Sequence, residues 1–456
     1  MTPDSGDFWF MPLGGCGEIG MNMNLYGHDE QWLMVDCGVT FRDADGSNNS
    51  GFHVQMADPA FIAQQAARIQ GLLLTHAHED HIGAVPYLWP RLRCPVYATQ
   101  FTAEMLRRKL VEHKLETEID LRLVNPGERF NIGIFDVEWV AHTHSVPDPC
   151  GLVIRTPVGS AFHTADWKLD RSPQVGHHYD ETHYAAIGAT GIDAMICDST
   201  CADRDGHSLS EADLFAGLLQ QVEDTAGRVI VACFGSNIAR LNTLARIASK
   251  TGRHLGLLGR SLINTVSVAR AVGLWEHNET LVDSEHLGYL PAESLLLVAT
   301  GSQAQENTAL VRLSHERFRQ LALAPGDKLI FSARAIPGNE KDIDAMCDRL
   351  RAIGVDIVTA ESSPLPIHAS GHPFADELNQ LYEWINPKLL IPVHGEQHHM
   401  QAQKQRAKKQ GVRTQLVGAN GDLFRIAPSV SIQRCIVEGA RLGVGAKGLE
   451  KIRPFP

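Results

Sequence analysis

The chain has 456 residues, enough for two or three domains with separate cores, and its 44% hydrophobic and 21% charged content is that of an ordinary globular protein. A formal net charge of −12 excludes a protein that coats nucleic acid non-specifically, while leaving room for a local basic groove. No run approaches the roughly 18 apolar residues of a membrane span, the start MTPDSGDFWFMPLGG lacks the basic and apolar parts of a secretory signal, and the nine cysteines include no Cys-x-x-Cys pair. A cytoplasmic protein with reduced cysteines and no membrane partner is therefore expected.

Up to about Thr200, short apolar runs alternate with turns: Gln31 to Asp36, Gly71 to Thr75, Pro95 to Ala98, Val137 to Val140, Leu152 to Ile154 and Ala194 to Asp198. Bounded by Gly and Pro, with few long helical periods between them, they predict a strand-rich layered domain. Between about 208 and 360 the texture changes. Arg228 to Cys233 reads as a strand leading into a helix with apolar residues at 238, 241, 244, 245 and 248. The strands Ser294 to Ala299 and Lys328 to Ser332 each end at small-residue loops, and this alternation predicts parallel α/β units. Pro387 to Glu396 then returns to an earlier pattern, an apolar strand that ends in a histidine.

That pattern is most concentrated in Thr75-His76-Ala77-His78-Glu79-Asp80-His81, where three histidines and two carboxylates follow the apolar run Gly71 to Leu74. On a straight strand, alternate side chains point to opposite faces and cannot all reach one ion. On a loop at a strand's end they can diverge to serve two metals. Imidazole and carboxylate suit two divalent ions, Zn²⁺ first, with Mn²⁺ or Mg²⁺ as alternatives, and three protein ligands per ion leave a position for water. The plain alternative is a histidine-rich exposed loop without metal; the density of ligand types at a strand end argues against it.

One loop cannot complete two coordination shells, so further ligands are expected at other strand ends. Candidates are His142 and His144 in His142-Thr143-His144-Ser145, Asp166 in HTADWKLD as a carboxylate able to bridge two ions, and His394 after Leu389 to Val393. Asp36, at the end of another strand, is expected to orient ligands from behind. Singly, each reads equally well as a loop polar group or a satisfied buried residue; together they complete a seven-ligand set.

His-x-His-x-Asp-His followed by a distant His, an Asp and a last His resembles the metallo-β-lactamase fold. The segment 201–366, between Asp166 and His394, resembles the β-CASP domain inserted in its nucleic-acid-processing members. The likeness is strongest to the bacterial ribonuclease J family. It is carried by Pro12 to Asn22 (PLGGCGEIGMN), Thr143 to Asp148 (THSVPD), Phe234 to Asn237 (FGSN), Gly259 to Ser261 (GRS), Ile336 to Glu340 (IPGNE), His368 to His372 (HASGH) and Pro392 to Glu396 (PVHGE). The resemblance runs from the N-terminus to about Asp422. It implies an α/β fold: a metallo-β-lactamase αββα sandwich from residues 1–200 and 367–456, with an inserted α/β β-CASP domain over 201–366.

The same resemblance implies that His76, His78 and His144 bind one ion, that Asp80, His81 and His394 bind the other, and that Asp166 bridges them. His144 is chosen over His142 because it directly precedes Ser-x-Pro-Asp; His142 is left as a structural neighbour. Asp198 matches the first β-CASP motif, His372 the second and His394 the third. Ser370 and His372 are implied at the scissile phosphate, and Ser236, His368 and Ser370 in a pocket for a terminal phosphate. Two cations would lower the pKa of a bridging water, make hydroxide available for in-line attack on phosphorus, and stabilise the non-bridging oxygens. His372 would stabilise that charge or protonate the leaving 3′ oxygen, giving 5′-phosphate products.

The expectation is a metal-dependent ribonuclease of RNA processing or decay, endonucleolytic, 5′-to-3′ exonucleolytic or both, acting on single-stranded RNA threaded between two domains. RNA over DNA follows from the resemblance alone. The alternatives are a DNA-processing β-CASP nuclease, a metallo-hydrolase of small esters, and a non-catalytic RNA-binding protein, the last disfavoured by the intact ligand set. Arg107-Arg108-Lys109 and Lys404 to Lys409 are candidates to line the cleft, although solvated helix faces read better for each. Only 62 residues follow His394, fewer than the family's separate C-terminal assembly domain needs, so a homodimer is expected only by another route. Gly301-Ser302-Gln303 is followed by Ala304-Gln305-Glu306-Asn307 where the family has Gly-Glu-Pro, and this loop's substrate contacts are expected to differ.

Overall fold

In the computed structural model, which describes residues 1–41, 50–275, 281–319, 321–335 and 339–452, the strand Phe8–Gly14 shows how the layers are set. Its side chains alternate. Phe8 and Phe10 enter a core with Tyr26, Leu73, Trp139, Ile196 and Phe424, while Trp9, Met11 and Leu13 join Leu72, Leu88, Trp89 and Phe101 on the other side. Both faces are buried, which is why such strands read as continuous apolar runs rather than alternating ones.

Two sheets enclose the first of these cores. One has eight strands in the order Ser431–Gln433, Leu423–Ala427, Phe8–Gly14, Met23–His28, Gln31–Val35, Ile69–Leu74, Val96–Ala98 and Leu121–Leu123. The other has seven: Thr414–Gln415, Leu389–Val393, Ala194–Asp198, Gly159–His163, Cys150–Thr156, Phe135–Ala141 and Arg129–Ile132. Helices Val85–Leu92 and Gln100–His113 cover the outer face of the first sheet. Helices Glu181–Ala189, Ala375–Ile385 and Gln397–Lys409 cover the second, where Tyr184, Leu381 and Ala407 pack on Met195 and Cys197. This is the αββα sandwich expected from the resemblance.

After Ala194–Asp198 the chain leaves the sandwich and builds a parallel five-stranded sheet, ordered His254–Leu258, Leu295–Ala299, Val229–Ala232, Lys328–Phe331 and Asp356–Val358. Alternation again decides which side is covered by what. Val229 and Val231 face the helices Ile238–Thr251 and Arg260–Ala271, and Ile230 and Ala232 face the helices Ala309–Ser314 and Glu340–Ile353. The chain returns to the sandwich through the helix Ala375–Ile385 and then Leu389–Val393, which pairs in parallel with Ala194–Asp198.

Several elements went unread in the sequence, and two of them bear on the site and the chain's end. Gly159–His163, spelled GSAFH, stands between Cys150–Thr156 and Asp166, so this strand delivers Asp166. The last described residues form a hairpin, Arg441–Gly445 with Gly448–Ile452, that extends a small sheet containing Gln55–Ala57 and Val39–Thr40. Of the IPGNE motif, Ile336 to Gly338 lie outside the described residues. Among the described residues, no helix is long and apolar enough to cross a membrane.

Candidate dinuclear metal centre

The site sits where strands of both sheets end. Ile69–Leu74 delivers Thr75 and His76, and the short helix Glu79–Ile82 turns Asp80 and His81 back toward them. Asp36 anchors this loop from the neighbouring strand Gln31–Val35: Thr75 donates to it through its backbone N–H at 2.9 Å and its hydroxyl at 2.9 Å, and its Oδ2 lies 2.7 Å from His81 Nδ1. The carboxylate therefore keeps the proton of His81 on Nδ1 and leaves Nε2 free to ligate. Asn22 completes the loop's support, its Nδ2 lying 3.1 Å from both the Asp80 carbonyl and His81 Nε2. Asp36→Asn is expected to weaken ion binding by about 10- to 100-fold while the fold persists; chelator competition checks this, and unchanged affinity would rule out the orienting role.

Gly38 lets this loop approach. A Cβ there would lie 1.6 Å from the Asp80 carbonyl oxygen and 2.6 Å from the His81 nitrogen, both backbone atoms with nowhere to go. Overpacking of this kind costs about 1–3 kcal/mol, and here it displaces two ligand-bearing residues. Gly38→Ala is expected to reduce bound metal about tenfold or more at limiting ion, at about 1.4 kcal/mol per decade, which elemental analysis reads directly.

Asp166 joins two groups of ligand atoms. Its Oδ2 lies 3.7 Å from both His76 Nε2 and His144 Nε2, and His78 Nδ1 lies 3.1 Å and 3.2 Å from those same nitrogens. Its Oδ1 lies 3.4 Å from His81 Nε2 and 3.3 Å from His394 Nδ1, while Asp80 Oδ2 lies 3.0 Å from His394 Nε2 and 3.5 Å from His81 Nε2. Each group offers its atoms within 4.8 Å of one another. All seven residues that the resemblance singles out as ligands are thus gathered, and Asp166 Oδ1 is buried with no hydrogen-bond partner among the described residues. A buried carboxylate oxygen without a donor is costly unless a cation meets it. The donor set and this oxygen fit a pair of divalent ions.

Electrostatics divide the histidines. Burial disfavours charge on His76 and His144, holding both well below the usual imidazole range, and lowers His78 to about 4, so these three are neutral and ready to ligate. At His81 and His394 burial acts in the same direction, but Asp166, Asp80 and their neighbours override it and raise both. Burial raises the Asp80 and Asp166 carboxyls, and the surrounding imidazoles more than reverse this, keeping both ionised.

A second tier faces the opening. His372 Nδ1 lies 2.7 Å from Asp198 Oδ2, and Thr200 donates to Asp198 Oδ1 from its backbone N–H at 2.9 Å and its hydroxyl at 2.7 Å. Burial lowers His372, yet the adjacent Asp198 carboxylate outweighs it and raises its pKa. His144 Nδ1 donates to the Gly371 carbonyl at 2.5 Å, which ties this histidine of the sandwich to the HASGH segment. Asp36, Ala165 and His394 adopt left-handed backbone, with φ of 62°, 51° and 50°. This conformation is uncommon for non-glycine residues, and beyond turns and helix caps it is found at functional positions.

The remaining candidates fall out unevenly. His142 Nδ1 lies 2.6 Å from the Tyr184 hydroxyl on the far side of the sheet, away from the ion cluster. Ser370 and His372 are bonded to each other, the Ser370 hydroxyl accepting from the His372 N–H at 3.1 Å. His368 is kept neutral by burial, its pKa lowered to about 4, with Nδ1 unpartnered among the described residues, and Ser236 is half-buried after the strand Val229–Ala232. The basic run Arg107-Arg108-Lys109 is spent on protein contacts: Arg108 on Asn264 and Ser267, Lys109 on Glu79 at 2.5 Å, Arg107 on Glu104. In the second run Arg406 pairs with Asp205, and Lys408 and Lys409 are exposed. In the altered loop, Gln303 donates to the Arg334 carbonyl at 2.7 Å and accepts from Asn339 at 3.0 Å. Asn22 and Thr200 were missed as supports, because a lone Asn or Thr carries no ligand pattern in sequence.

An αββα sandwich that gathers imidazoles and carboxylates around one shared aspartate, with a parallel α/β lobe inserted, defines a metallo-β-lactamase-type hydrolase carrying a β-CASP domain. Family profiles agree: residues 17–185 match the metallo-beta-lactamase superfamily, 226–350 match ribonuclease J, beta-CASP domain, and 366–417 match the Zn-dependent metallo-hydrolase RNA specificity domain. The chain is 42% identical to ribonuclease J of Sinorhizobium meliloti over 92% of its own length and 74% of that protein. It is 34% identical to ribonuclease J of Mycobacterium tuberculosis H37Rv over 96% of the chain and 79% of the relative. A crystal structure of a protein of unknown function from Enterococcus faecalis V583 shares the fold, with a TM-score of 0.61 at 15% identity, over 92% of this chain and 100% of that one. The chain belongs to the ribonuclease J family. It is a metal-dependent ribonuclease that binds divalent metal and acts on RNA.

Proposed function

We propose that the chain hydrolyses phosphodiester bonds of single-stranded RNA with two zinc ions, one held by His76, His78 and His144, the other by Asp80, His81 and His394, and both by Asp166. One observation carries this reading: the two oxygens of buried Asp166 face two separate histidine groups, and among the described residues Oδ1 has no hydrogen-bond donor. When bound, the ions supply Lewis acidity for a water nucleophile and for the phosphate oxygens. The protein's own residues do the rest. Asp36 and Thr200 hold His81 and His394 in orientation. Asp198 holds His372 with Nδ1 toward itself, which directs Nε2 to charge developing on the phosphate or to the leaving 3′ oxygen.

Ser236, His368 and Ser370 are read as a pocket for a terminal phosphate, which permits 5′-to-3′ exonucleolysis beside internal cleavage and leaves 5′-phosphate products. The domain limits taken are 1–200 and 367–456 for the sandwich and 201–366 for the β-CASP insertion, in a cytoplasmic protein of RNA processing or decay. The test is incubation with Zn²⁺ or Mn²⁺ and matched labelled RNA and DNA strands bearing 5′-monophosphate or 5′-hydroxyl ends. Cleavage of RNA alone, lost with chelator, is expected; equal cleavage of DNA would overturn the substrate.

A further inference from the structure

Between the ion cluster and the HASGH segment runs a chain of buried polar contacts that the chemistry above does not use. It starts at Thr143, beside His144: the Thr143 hydroxyl donates to the Lys168 carbonyl at 2.7 Å and accepts from the Asp170 N–H at 2.9 Å. The Asp170 carboxylate accepts from the Ser210 hydroxyl at 2.5 Å and the Glu211 N–H at 3.0 Å. Glu211 then meets Arg240 side-on, with Arg240 Nε at 3.0 Å and Nη2 at 2.9 Å, and accepts from Asn237, next to Ser236, at 3.2 Å. Arg240 Nη1 donates to the carbonyl of Ser332 at 2.9 Å and to its hydroxyl, which in turn donates to the Ile367 carbonyl at 2.5 Å, one residue before His368.

Stability alone does not account for this chain. Arg240 is 1% exposed and Glu211 3%, and a buried pair of this kind is often no more stabilising than apolar side chains of similar volume. What a bidentate guanidinium–carboxylate pair does impose is direction, because two parallel hydrogen bonds tolerate little rotation. Here the pair joins the sandwich contacts at Asp170 to the loops that bear Ser236 and His368.

We propose that Glu211 and Arg240 are positioning residues that fix the separation between the terminal-phosphate pocket and the ion centre, and so set the register of 5′-end-dependent cleavage. This rests on the reading of Ser236 and His368 as that pocket. Internal cleavage needs only the ion centre and His372. Cleavage from the 5′ end needs the terminal and scissile phosphates held at one spacing, and a misplacement of about 1 Å costs on the order of 10²-fold in rate.

The test compares the unaltered chain with Arg240→Lys, which keeps the charge and loses the fork, and with the double variant Glu211→Met/Arg240→Met, which fills the same volume without charge. Substrates are one RNA with a 5′-monophosphate and the same RNA with a 5′-hydroxyl, with bound metal measured in parallel. Metal content and internal cleavage of the 5′-hydroxyl RNA are expected to stay within about twofold, while kcat on the 5′-monophosphate RNA falls on the order of 10²-fold in the double variant and less in Arg240→Lys. A parallel fall on both RNAs, or no change on either in folded variants, overturns the proposal. If the unaltered chain cleaves the two RNAs alike, the pocket reading itself fails and this inference falls with it.

Discussion

Asp166→Asn is expected to empty both ion positions and to lower ribonuclease turnover by about 10³-fold or more, since the ions supply several kcal/mol of transition-state stabilisation at about 1.4 kcal/mol per decade. The amide preserves the shape of a residue that is 2% exposed, so the change tests charge and not packing. Among the described residues, Asp166 is the one side chain that faces both histidine groups, with Oδ2 toward His76 and His144 and Oδ1 toward His81 and His394. Asp80 faces only the second group, through His81 and His394. Asp80→Ala is therefore expected to lose one ion where Asp166→Asn loses two. Elemental analysis of the two variants after dialysis separates a bridging ligand from a terminal one, and wild-type metal content in Asp166→Asn would exclude the bridge.

How much of this arrangement could be read in advance depends on what each residue is for. The ligand loop was legible because three histidines and two carboxylates in seven residues after an apolar strand have few other uses. The sandwich strands were legible because burial on both faces demands uninterrupted apolar runs. Gly159–His163 was not, since a short mixed segment has neither signature. Supports were harder still: Asn22 acts on a loop 58 residues away and Thr200 on a histidine 194 residues away. Such pairings exist only after folding, and no local period reports them. The basic run at Arg107 to Lys109 shows the converse, for its charges look available in sequence yet end in contacts with Glu104, Asn264, Ser267 and Glu79.

His372→Ala should separate binding from turnover. His372 lies outside the seven proposed ligands, its ring 5.1 Å from that of His144 and 5.6 Å from that of His394, and it reaches the cluster as a neighbour. Its Nδ1 is committed to Asp198, so the side chain is held in one orientation with the other nitrogen free. A positioned imidazole that donates to charge developing on the phosphate, or to the departing oxygen, contributes about 10²–10⁴-fold. The variant is expected to bind two ions and RNA with near-normal affinity while kcat falls by about that factor. Asp198→Asn, which leaves His372 in place but removes the charge that orients and raises it, should fall between the variant and the unaltered chain. Should the metal-loaded His372→Ala protein turn over at the full rate, the imidazole would be a wall of the cleft and the proton for the leaving oxygen would have to come from solvent.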